Sequence, residues 1–287
     1  MCQVHNPQIY TKSMIVDRSA RGRVRLRGAE AAEFLQGQVT NDVEALQPGQ
    51  GCYAALLNHK GKMRLDMRIL RGPDWIWIDT EPGADAALLK TIETYSLGRD
   101  VTWESADEGI VSLVGEFEFD AMPPEEEHAW VEGERGIYVR TYAGVDVIGH
   151  DLPPADASEG DAECVRIEAG IPRFGLDMDG DTIPQEAGIN ERAVSFTKGC
   201  YVGQETVARL FYKGKPNRHL RGLKLSRPAE HGQPIALGER AVGRIGSACV
   251  SPTHGPIALA IVRREAEPGA TVEVEGAAAQ VVELPFG

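Results

Sequence analysis

The chain has 287 residues, 42% of them hydrophobic, which is enough for one large domain or for two or three smaller ones. Its formal net charge of −13 argues against a general electrostatic grip on nucleic acid, because that affinity comes largely from Lys and Arg side chains that neutralise phosphates. The five cysteines are widely spaced and include no C-x-x-C pair, so a disulfide framework and a zinc ribbon are both disfavoured and a reducing compartment is expected.

The N-terminal segment, residues 1–27, is polar and has no apolar run long enough for a signal peptide or a membrane helix. We therefore expect a soluble cytoplasmic protein with no membrane partner. Residues 30–36 then predict a short helix that ends at Gly37. Asn41 and Asp42 follow in a polar stretch whose residue types are ordinary in turns.

Three extended runs come next, over residues 52–57, 63–70 and 75–78. Strong turn signals separate them, so the pattern predicts an antiparallel meander. On the middle strand, Asp66 shares one face with Arg64 and Arg68, and apolar side chains occupy the other face. Asp66 is therefore either a solvated carboxylate held between two arginines or a group that faces a ligand pocket.

Residues 84–96 form the clearest predicted helix, whose apolar face includes Tyr95. Residues 137–140 and 145–148 are predicted to pair as a hairpin, and the Pro-, Ala- and Asp-rich stretch 151–161 is the best candidate for a linker. After residue 217, short runs alternate with Gly- and Pro-containing turns, which is typical of a small antiparallel barrel. The predicted barrel runs are 220–225, 234–237, 241–250, 257–262, 271–274 and 279–284.

Residues 198–205 read K-G-C-Y-V-G-Q-E, with A-R at positions 208 and 209. Good helix formers begin at Gln204, so Cys200 is predicted to lie just before a helix N-terminus. The positive end of a helix dipole and the cation of Lys198 would both lower the pKa of the thiol and favour a functional thiolate. The alternative is that Cys200 is a small buried apolar residue, as many single cysteines are.

This motif resembles the signature of the YgfZ family, folate-binding relatives of the glycine-cleavage T-protein that act in iron–sulfur protein maintenance. Three further blocks resemble that family in the family's order. They are F-L-Q-G-Q-V-T-N-D-V at 34–43, N-H-K-G-K at 58–62 with Asp66, and R-I-E-A-G-I-P at 166–172 with P-Q-E at 184–186. The resemblance extends from about residue 34 to about residue 260, which is most of the chain.

The resemblance implies an α+β fold, with a T-protein-like folate-binding region over residues 1–212 and a C-terminal antiparallel β-barrel over 213–287. It also implies a tetrahydrofolate-binding accessory protein that supports assembly or repair of Fe–S clusters. The implied partners are folate and Fe–S enzymes, including tRNA-modifying radical enzymes. No Cys-rich cluster motif is present, so the chain is not expected to hold a stable cluster by itself.

The alternative function is a folate-dependent aminomethyl transferase of the T-protein type, and direct tRNA binding is disfavoured by the net charge. T-protein catalysts carry two consecutive acidic residues where this chain has Leu65 and Asp66. The loss of one carboxylate argues against transfer chemistry, so we expect an accessory protein and not a classical enzyme.

The resemblance also supplies candidate site residues. Glu168 lies where the T-protein relatives place an acid that bonds the amino-amide edge of the pterin, and a carboxylate suits two adjacent N–H donors. The functional thiol motif is assigned to Cys200 and Lys198. The candidate folate-binding residues are Asn41, Asp66, Glu168, Tyr201, Gln204, Glu205 and Arg209, and no metal site is predicted.

A basic cluster at Lys213, Lys215, Arg218 and Arg221 is either a solvated face or a site for a folate glutamate tail or an RNA partner.

Overall fold

A computed structural model describes residues 13–287, so the predictions for residues 1–12 lie outside the described part of the chain. The described residues fall into two compact units. The first contains residues 13–60, 64–162 and 192–204, and the second contains residues 61–63, 163–191 and 205–287. The domain boundary predicted between residues 212 and 213 stays a prediction.

Strands dominate the first unit. Its elements are β1 (Met14–Asp17), β2 (Gly22–Arg27), α1 (Ala31–Gln38), β3 (Gly51–Leu57), β4 (Met63–Arg71), β5 (Ile76–Thr80), α2 (Asp85–Tyr95), β6 (Thr102–Ser105), β7 (Gly109–Val114), β8 (Trp130–Gly133), β9 (Gly136–Thr141) and β10 (Gly144–Gly149). They form two five-stranded sheets, in the orders β1-β7-β10-β9-β8 and β3-β4-β5-β2-β6. Leu70 and Trp77 of one sheet and Ile110, Val139 and Ile148 of the other belong to one buried apolar cluster.

The predicted meander is present, with β3, β4 and β5 as neighbours in one sheet and β4 antiparallel to β5. The predicted hairpin of β9 and β10 is also present, with Val147 opposite Tyr138. The first helix, however, continues through Gly37 to Gln38, and the prediction that Gly37 ends it is wrong. A glycine inside a helix costs only about 1 kcal/mol, and burial of Phe34 and Leu35 on the same helix outweighs that cost.

Helix α2 has the predicted extent, but its buried stripe is shorter than expected. Leu88, Thr91 and Ile92 are buried, whereas the ring of Tyr95, the last residue of the helix, is 58% exposed. The placement of Tyr95 on the packed face was therefore wrong. The linker predicted over 151–161 ends inside a helix, because α3 begins at Glu159.

The second unit is organised around a closed barrel. The remaining elements of the chain are α3 (Glu159–Glu168), α4 (Asn190–Ala193), α5 (Gln204–Lys213), β11 (Arg218–Leu225), β12 (Pro234–Leu237), β13 (Arg240–Arg244), β14 (Ala248–Ser251), β15 (Gly255–Arg263), β16 (Thr271–Val274) and β17 (Ala277–Val282). Six strands close in the order β11-β17-β16-β12-β13-β15, since β15 also pairs with β11, and β14 adds to β15 outside the ring. This architecture confirms the predicted α+β fold with a C-terminal barrel.

The run predicted over 241–250 is divided between two strands at Gly246. A Cβ at this position would lie 2.4 Å from Oδ1 of Asp177, so only glycine allows the backbone to pass. The N–H of Gly246 donates to the carbonyl of Leu259, and the chain leaves β13 to begin β14. Side chains from both sides of this break line the barrel core, which is apolar throughout.

A disulfide joins Cys164 of α3 to Cys249 of β14. The cysteine pattern did not predict this bond, because the two residues are 85 positions apart and belong to no spaced motif. The bond is a single link within the second unit and not a disulfide framework. Among residues 13–287, no helix is long and apolar enough to cross a membrane.

Candidate functional site

Asp66 lies on β4 with its side chain buried inside the first unit. The hydroxyl of Tyr53 donates to its Oδ2 at 2.6 Å, while Oδ1 is buried and has no hydrogen-bond partner among the described residues. Burial raises the pKa of Asp66 to about 6, and the charge of Glu81 adds to that rise. The interpretation of this face as solvated is wrong, because Asp66 and Arg68 are each only 6% exposed.

An ion-pair network explains how this polar face is buried. Arg68 donates through Nε to Asp79 at 2.7 Å and through Nη1 to Asp146 at 2.6 Å, and Arg21 donates to the other oxygen of Asp79 at 2.6 Å. Burial alone would raise the pKa of Asp79, but Arg68 and Arg21 lower it below its usual value. Buried charges persist when they are paired and hydrogen-bonded, which is the arrangement here.

A second set of polar side chains surrounds the ring of Tyr53. The guanidinium carbon of Arg192 lies 4.9 Å from the ring centroid, and Arg192 donates twice to Glu127, at 3.0 and 2.5 Å. His128 is buried next to this pair and has a positive φ of 68°. Burial lowers the pKa of His128 to about 4 although Glu127 is 3.7 Å away, so the imidazole is neutral at neutral pH.

The side chains of Lys198 and Asn41 both donate hydrogen bonds to main-chain carbonyls. The ammonium of Lys198 donates to the carbonyls of Gln36, Val39 and Asn41 at 2.6, 2.7 and 2.8 Å. The side-chain amide of Asn41 donates to the carbonyls of Tyr53 and Arg192, both at 2.9 Å. Lys198 and Asn41 thus fix the backbone around Tyr53, whose hydroxyl in turn fixes Asp66.

Cys200 is exposed, so its interpretation as a buried apolar residue is wrong. The helix predicted to follow it, α5, begins four residues later, at Gln204. The side-chain carbonyl of Gln204 accepts the N–H of Tyr201 at 3.2 Å, and the Tyr201 ring centroid lies 5.2 Å from the ammonium of Lys198. The contacts therefore link Lys198, Tyr201 and Gln204 in one loop, and the thiol at Cys200 lies on its surface.

Three predicted site residues belong to the second unit. Glu168 is the last residue of α3, is 7% exposed, and accepts a hydrogen bond from the hydroxyl of Ser251. The same hydroxyl accepts the N–H of His254 at 2.9 Å, so it is held in place. Glu205 and Arg209 are exposed on α5. Their roles toward folate stay predictions.

Sequence reasoning missed three residues of the site in the first unit: Tyr53, His128 and Arg192. Tyr53 lies on β3, His128 in the loop before β8 and Arg192 on α4, and only the fold brings them together. Tyr53 contacts both Asp66 and Arg192, and His128 lies beside Glu127, the ion-pair partner of Arg192. In the predicted basic cluster, Arg218 donates twice to Glu186, at 3.0 and 2.7 Å. This ion pair neutralises one of the four cations.

Known proteins resemble the chain in both sequence and fold. The family model described as the GCVT N-terminal domain matches residues 6–115, and that of the glycine cleavage T-protein C-terminal barrel domain matches residues 218–286. A protein named tRNA-modifying protein YgfZ from Escherichia coli O45:K1 is 30% identical over 243 residues, which cover 74% of this chain and 72% of that protein. The protein of the same name from Shigella boydii serotype 4 matches with the same identity and coverage.

Among solved structures, the glycine cleavage system aminomethyltransferase T from Bartonella henselae superposes with a TM-score of 0.84. The match covers 99% of this chain and 89% of that protein, at 22% sequence identity. At that identity, the likeness is one of fold.

Proposed function

Since this chain belongs to the YgfZ family, we propose that it is a tetrahydrofolate-binding accessory protein that supports assembly or repair of Fe–S clusters, including those of tRNA-modifying enzymes. The name of the relatives supplies the tRNA-modification context, and the T-protein-like fold supplies the expectation of folate. The cytoplasm is the proposed location.

One observation carries the ligand part of this proposal, namely the buried oxygen Oδ1 of Asp66. It lacks a hydrogen-bond partner in the part of the chain that the structure describes, while Tyr53 holds the other oxygen of the same carboxyl group. A buried acceptor without a partner costs about 1–3 kcal/mol, and an N–H donor of a pterin ring would remove that cost. The residues present therefore fit a reduced folate.

Bound tetrahydrofolate would supply a reduced pterin whose nitrogens carry one-carbon units. The chain's own contribution is to position the acceptors. Tyr53 orients the carboxyl group of Asp66, and the Arg192–Glu127 pair fixes the ring of Tyr53 from its face. With a pKa of about 6, Asp66 is mainly ionised at neutral pH and accepts hydrogen bonds.

The transferase alternative is not favoured. Leu65 occupies the position where the T-protein catalysts have the first of two acids, and its side chain is 0% exposed in the core. Proton transfer during aminomethyl transfer needs a correctly placed acid or base, and Asp66 is the one carboxylate left at this position. We therefore expect folate binding without aminomethyl transfer.

Calorimetric titration of tetrahydrofolate tests the ligand. Asp66→Asn and Glu168→Gln should each lose about 1–3 kcal/mol of binding free energy, the usual cost of an unsatisfied buried partner. Asp74→Asn and Glu283→Gln change the same groups at positions where the side chains are 78% and 69% exposed, and should bind as the wild type does. Absence of saturable binding by the wild-type protein would refute folate as the ligand.

Two further assays test the biological role. In a deletion strain, the wild-type gene should restore the activity of an Fe–S tRNA-modifying enzyme, and the Asp66→Asn gene should restore less. With aminomethylated H-protein and tetrahydrofolate as substrates, the protein should release no ammonia above the uncatalysed rate. Ammonia release that Asp66→Asn abolishes would replace the accessory role with the transferase.

A further inference from the structure

The first unit contains a cavity of about 420 Å³ that none of the predicted site residues line. Its apolar lining includes Trp75, Trp77, Ile137 and Ile148, and its size is that of pockets for small organic molecules. All of these residues belong to the apolar cluster that the two sheets share or pack against it. The apolar side of the cavity is therefore built from packed residues of the two sheets.

Aromatic rings make one side of the cavity flat and rigid. Trp75 stacks on Trp130 with ring centroids 5.3 Å apart and an angle of 29° between the planes. Trp77 is 1% exposed, and the guanidinium carbon of Arg25 lies 5.6 Å from its ring centroid. Flat aromatic and guanidinium groups favour a planar ring as ligand, because such rings stack over a large area.

Arg25 and Glu108 also line this cavity, and each has one polar atom without a hydrogen-bond partner among the described residues. A terminal nitrogen of Arg25 donates to Oε1 of Glu108, and Arg23 donates to the backbone carbonyl of Glu108. Nε of Arg25 and Oε2 of Glu108 are buried and, within residues 13–287, have no hydrogen-bond partner. One donor and one acceptor on two ion-paired side chains thus remain to be satisfied, which costs free energy when nothing binds there.

The charges around the cavity argue against a phosphorylated ligand. Two arginines, Arg25 and Arg135, line it, and they are matched by the carboxylates of Glu108, Glu134 and Asp151. Arg135 lies 3.8 Å from Asp151 and is already partly neutralised. A phosphate would meet no excess of positive charge, so the ligand should be uncharged.

We propose that this cavity binds an uncharged nucleoside whose base presents a ring acceptor beside an N–H donor. In adenine, the ring nitrogen N1 would accept from Nε of Arg25, and the exocyclic amino group would donate to Oε2 of Glu108. The partly exposed ring of Trp75 and the guanidinium of Arg25, which covers the buried Trp77, provide the flat surface for the base. The site is separate from the folate proposal, because it uses neither Asp66 nor Glu168.

Calorimetric titration of the full-length protein with adenosine tests the proposal directly. N6,N6-dimethyladenosine keeps the ring but has no N–H donor, and should bind about tenfold more weakly or worse, since a hydrogen bond to a charged group is lost. AMP should bind more weakly than adenosine because of its phosphate. Equal affinity for adenosine and its dimethyl derivative, or no binding at millimolar adenosine, would overturn the proposal.

A matched pair of variants locates the site. Glu108→Gln should weaken adenosine binding by about tenfold or more, whereas Glu134→Gln, the same change on an exposed side chain lining the cavity, should leave it within about twofold. Asp66→Asn should not change adenosine binding. Thermal melts check that the variants fold. If Glu108→Gln does not fold, the comparison of adenosine with its dimethyl derivative on the wild-type protein still tests the proposal.

Two further titrations test an RNA and a metal ion as alternative ligands of the cavity. A short single-stranded adenine-rich RNA should bind more weakly than adenosine because of its phosphates, and tighter binding of the RNA would overturn the assignment to an uncharged nucleoside. Asp107, Glu108 and His150 offer three possible metal ligands within 4.8 Å of one another. Saturable Zn²⁺ binding that His150→Ala abolishes, without any adenosine binding, would replace the nucleobase by a metal.

Discussion

The two compact units differ in net charge and in where their buried charges lie. Among its described residues, the first unit has 15 Lys and Arg against 28 Asp and Glu, whereas the second has 14 against 15. The first unit nevertheless buries ionised groups among its sheets, with Arg68, Asp79 and Asp146 joined in one network. The barrel of the second unit has an entirely apolar core, and buried charges such as Arg166 and Asp177 lie outside its strands.

This contrast shows what each kind of interior contributes. Apolar packing holds a barrel together without fixing any polar atom in a chosen direction. Paired buried charges add less net stability, but they hold donors and acceptors at defined positions, as Arg68 does for Asp79 and Asp146. The acidic unit is therefore the place where small changes in charge should have the largest consequences.

The largest expected effect comes from breaking the buried network. Arg68→Leu leaves Asp79 and Asp146 buried without their shared cation, and should lower the free energy of unfolding by about 3–5 kcal/mol. Arg240→Leu removes an exposed ion pair with Glu265 in the second unit and should cost less than about 1 kcal/mol. Urea denaturation of both variants measures the difference, and similar losses would mean that burial does not set the cost of losing an ion pair.

Truncation inside the barrel should have a slightly smaller effect. Leu223→Ala removes a fully buried side chain from the apolar core and should cost about 2–5 kcal/mol, according to how far the cavity collapses. Unlike the effect of Arg68→Leu, this loss should be the same at pH 5 and pH 8, because the cluster that surrounds Leu223 consists of apolar side chains. Denaturation at the two pH values provides the measurement. A loss that depends on pH would mean that the barrel core is coupled to titrating groups.

Asp66 should make stability depend on pH. Its pKa rises from 3.8 to about 6 on folding, so the folded protein binds the proton more tightly than the unfolded chain does. The stability contribution is full below pH 4 and is lost as the pH rises to about 6, with a total loss of up to about 3 kcal/mol. Asp66→Asn should lack this loss, so its stability relative to the wild type should increase between pH 4 and pH 7. A constant difference across that range would mean that Asp66 does not titrate as described.

The smallest effect on stability is expected at Cys200. Its side chain is exposed, so Cys200→Ala should change the free energy of unfolding by less than about 0.5 kcal/mol. Cys52, the other free cysteine among the described residues of the first unit, is partly buried, and burial raises its pKa to about 12. Brief alkylation at pH 8 followed by mass spectrometry should therefore label Cys200 and spare Cys52. If Cys200→Ala also abolishes complementation of the deletion strain, the thiol is functional; full complementation would remove that role.

Much of the architecture followed from local sequence. Turn residues separated the runs correctly in the meander, in the β9–β10 hairpin and in most of the barrel, because Gly and Pro restrict the backbone whatever surrounds them. The division at Gly246 was missed, since it depends on contact with Asp177, which is distant in sequence.

The candidate site was predicted less completely. Alternation along β4 placed Asp66 and Arg68 on one face, but a period of two cannot distinguish a solvated face from a buried one whose charges are paired by other strands. The position of Tyr53 beside Asp66 likewise depends on the pairing of strands. His128 gave no signal at all, because its burial arises only from contacts made in the folded unit.

The ammonium of Lys198 is bound by three main-chain carbonyls, and this has a consequence for how the chain can evolve. Every residue has the same main-chain carbonyl group whatever its side chain, so substitutions of Gln36 or Val39 leave all three acceptors in place. No second mutation can recreate a lost ammonium, whereas most ion pairs can be rebuilt by exchanging partners. Position 198 should therefore tolerate little change while its contacts vary freely, and methods that detect covarying pairs should find no partner for it.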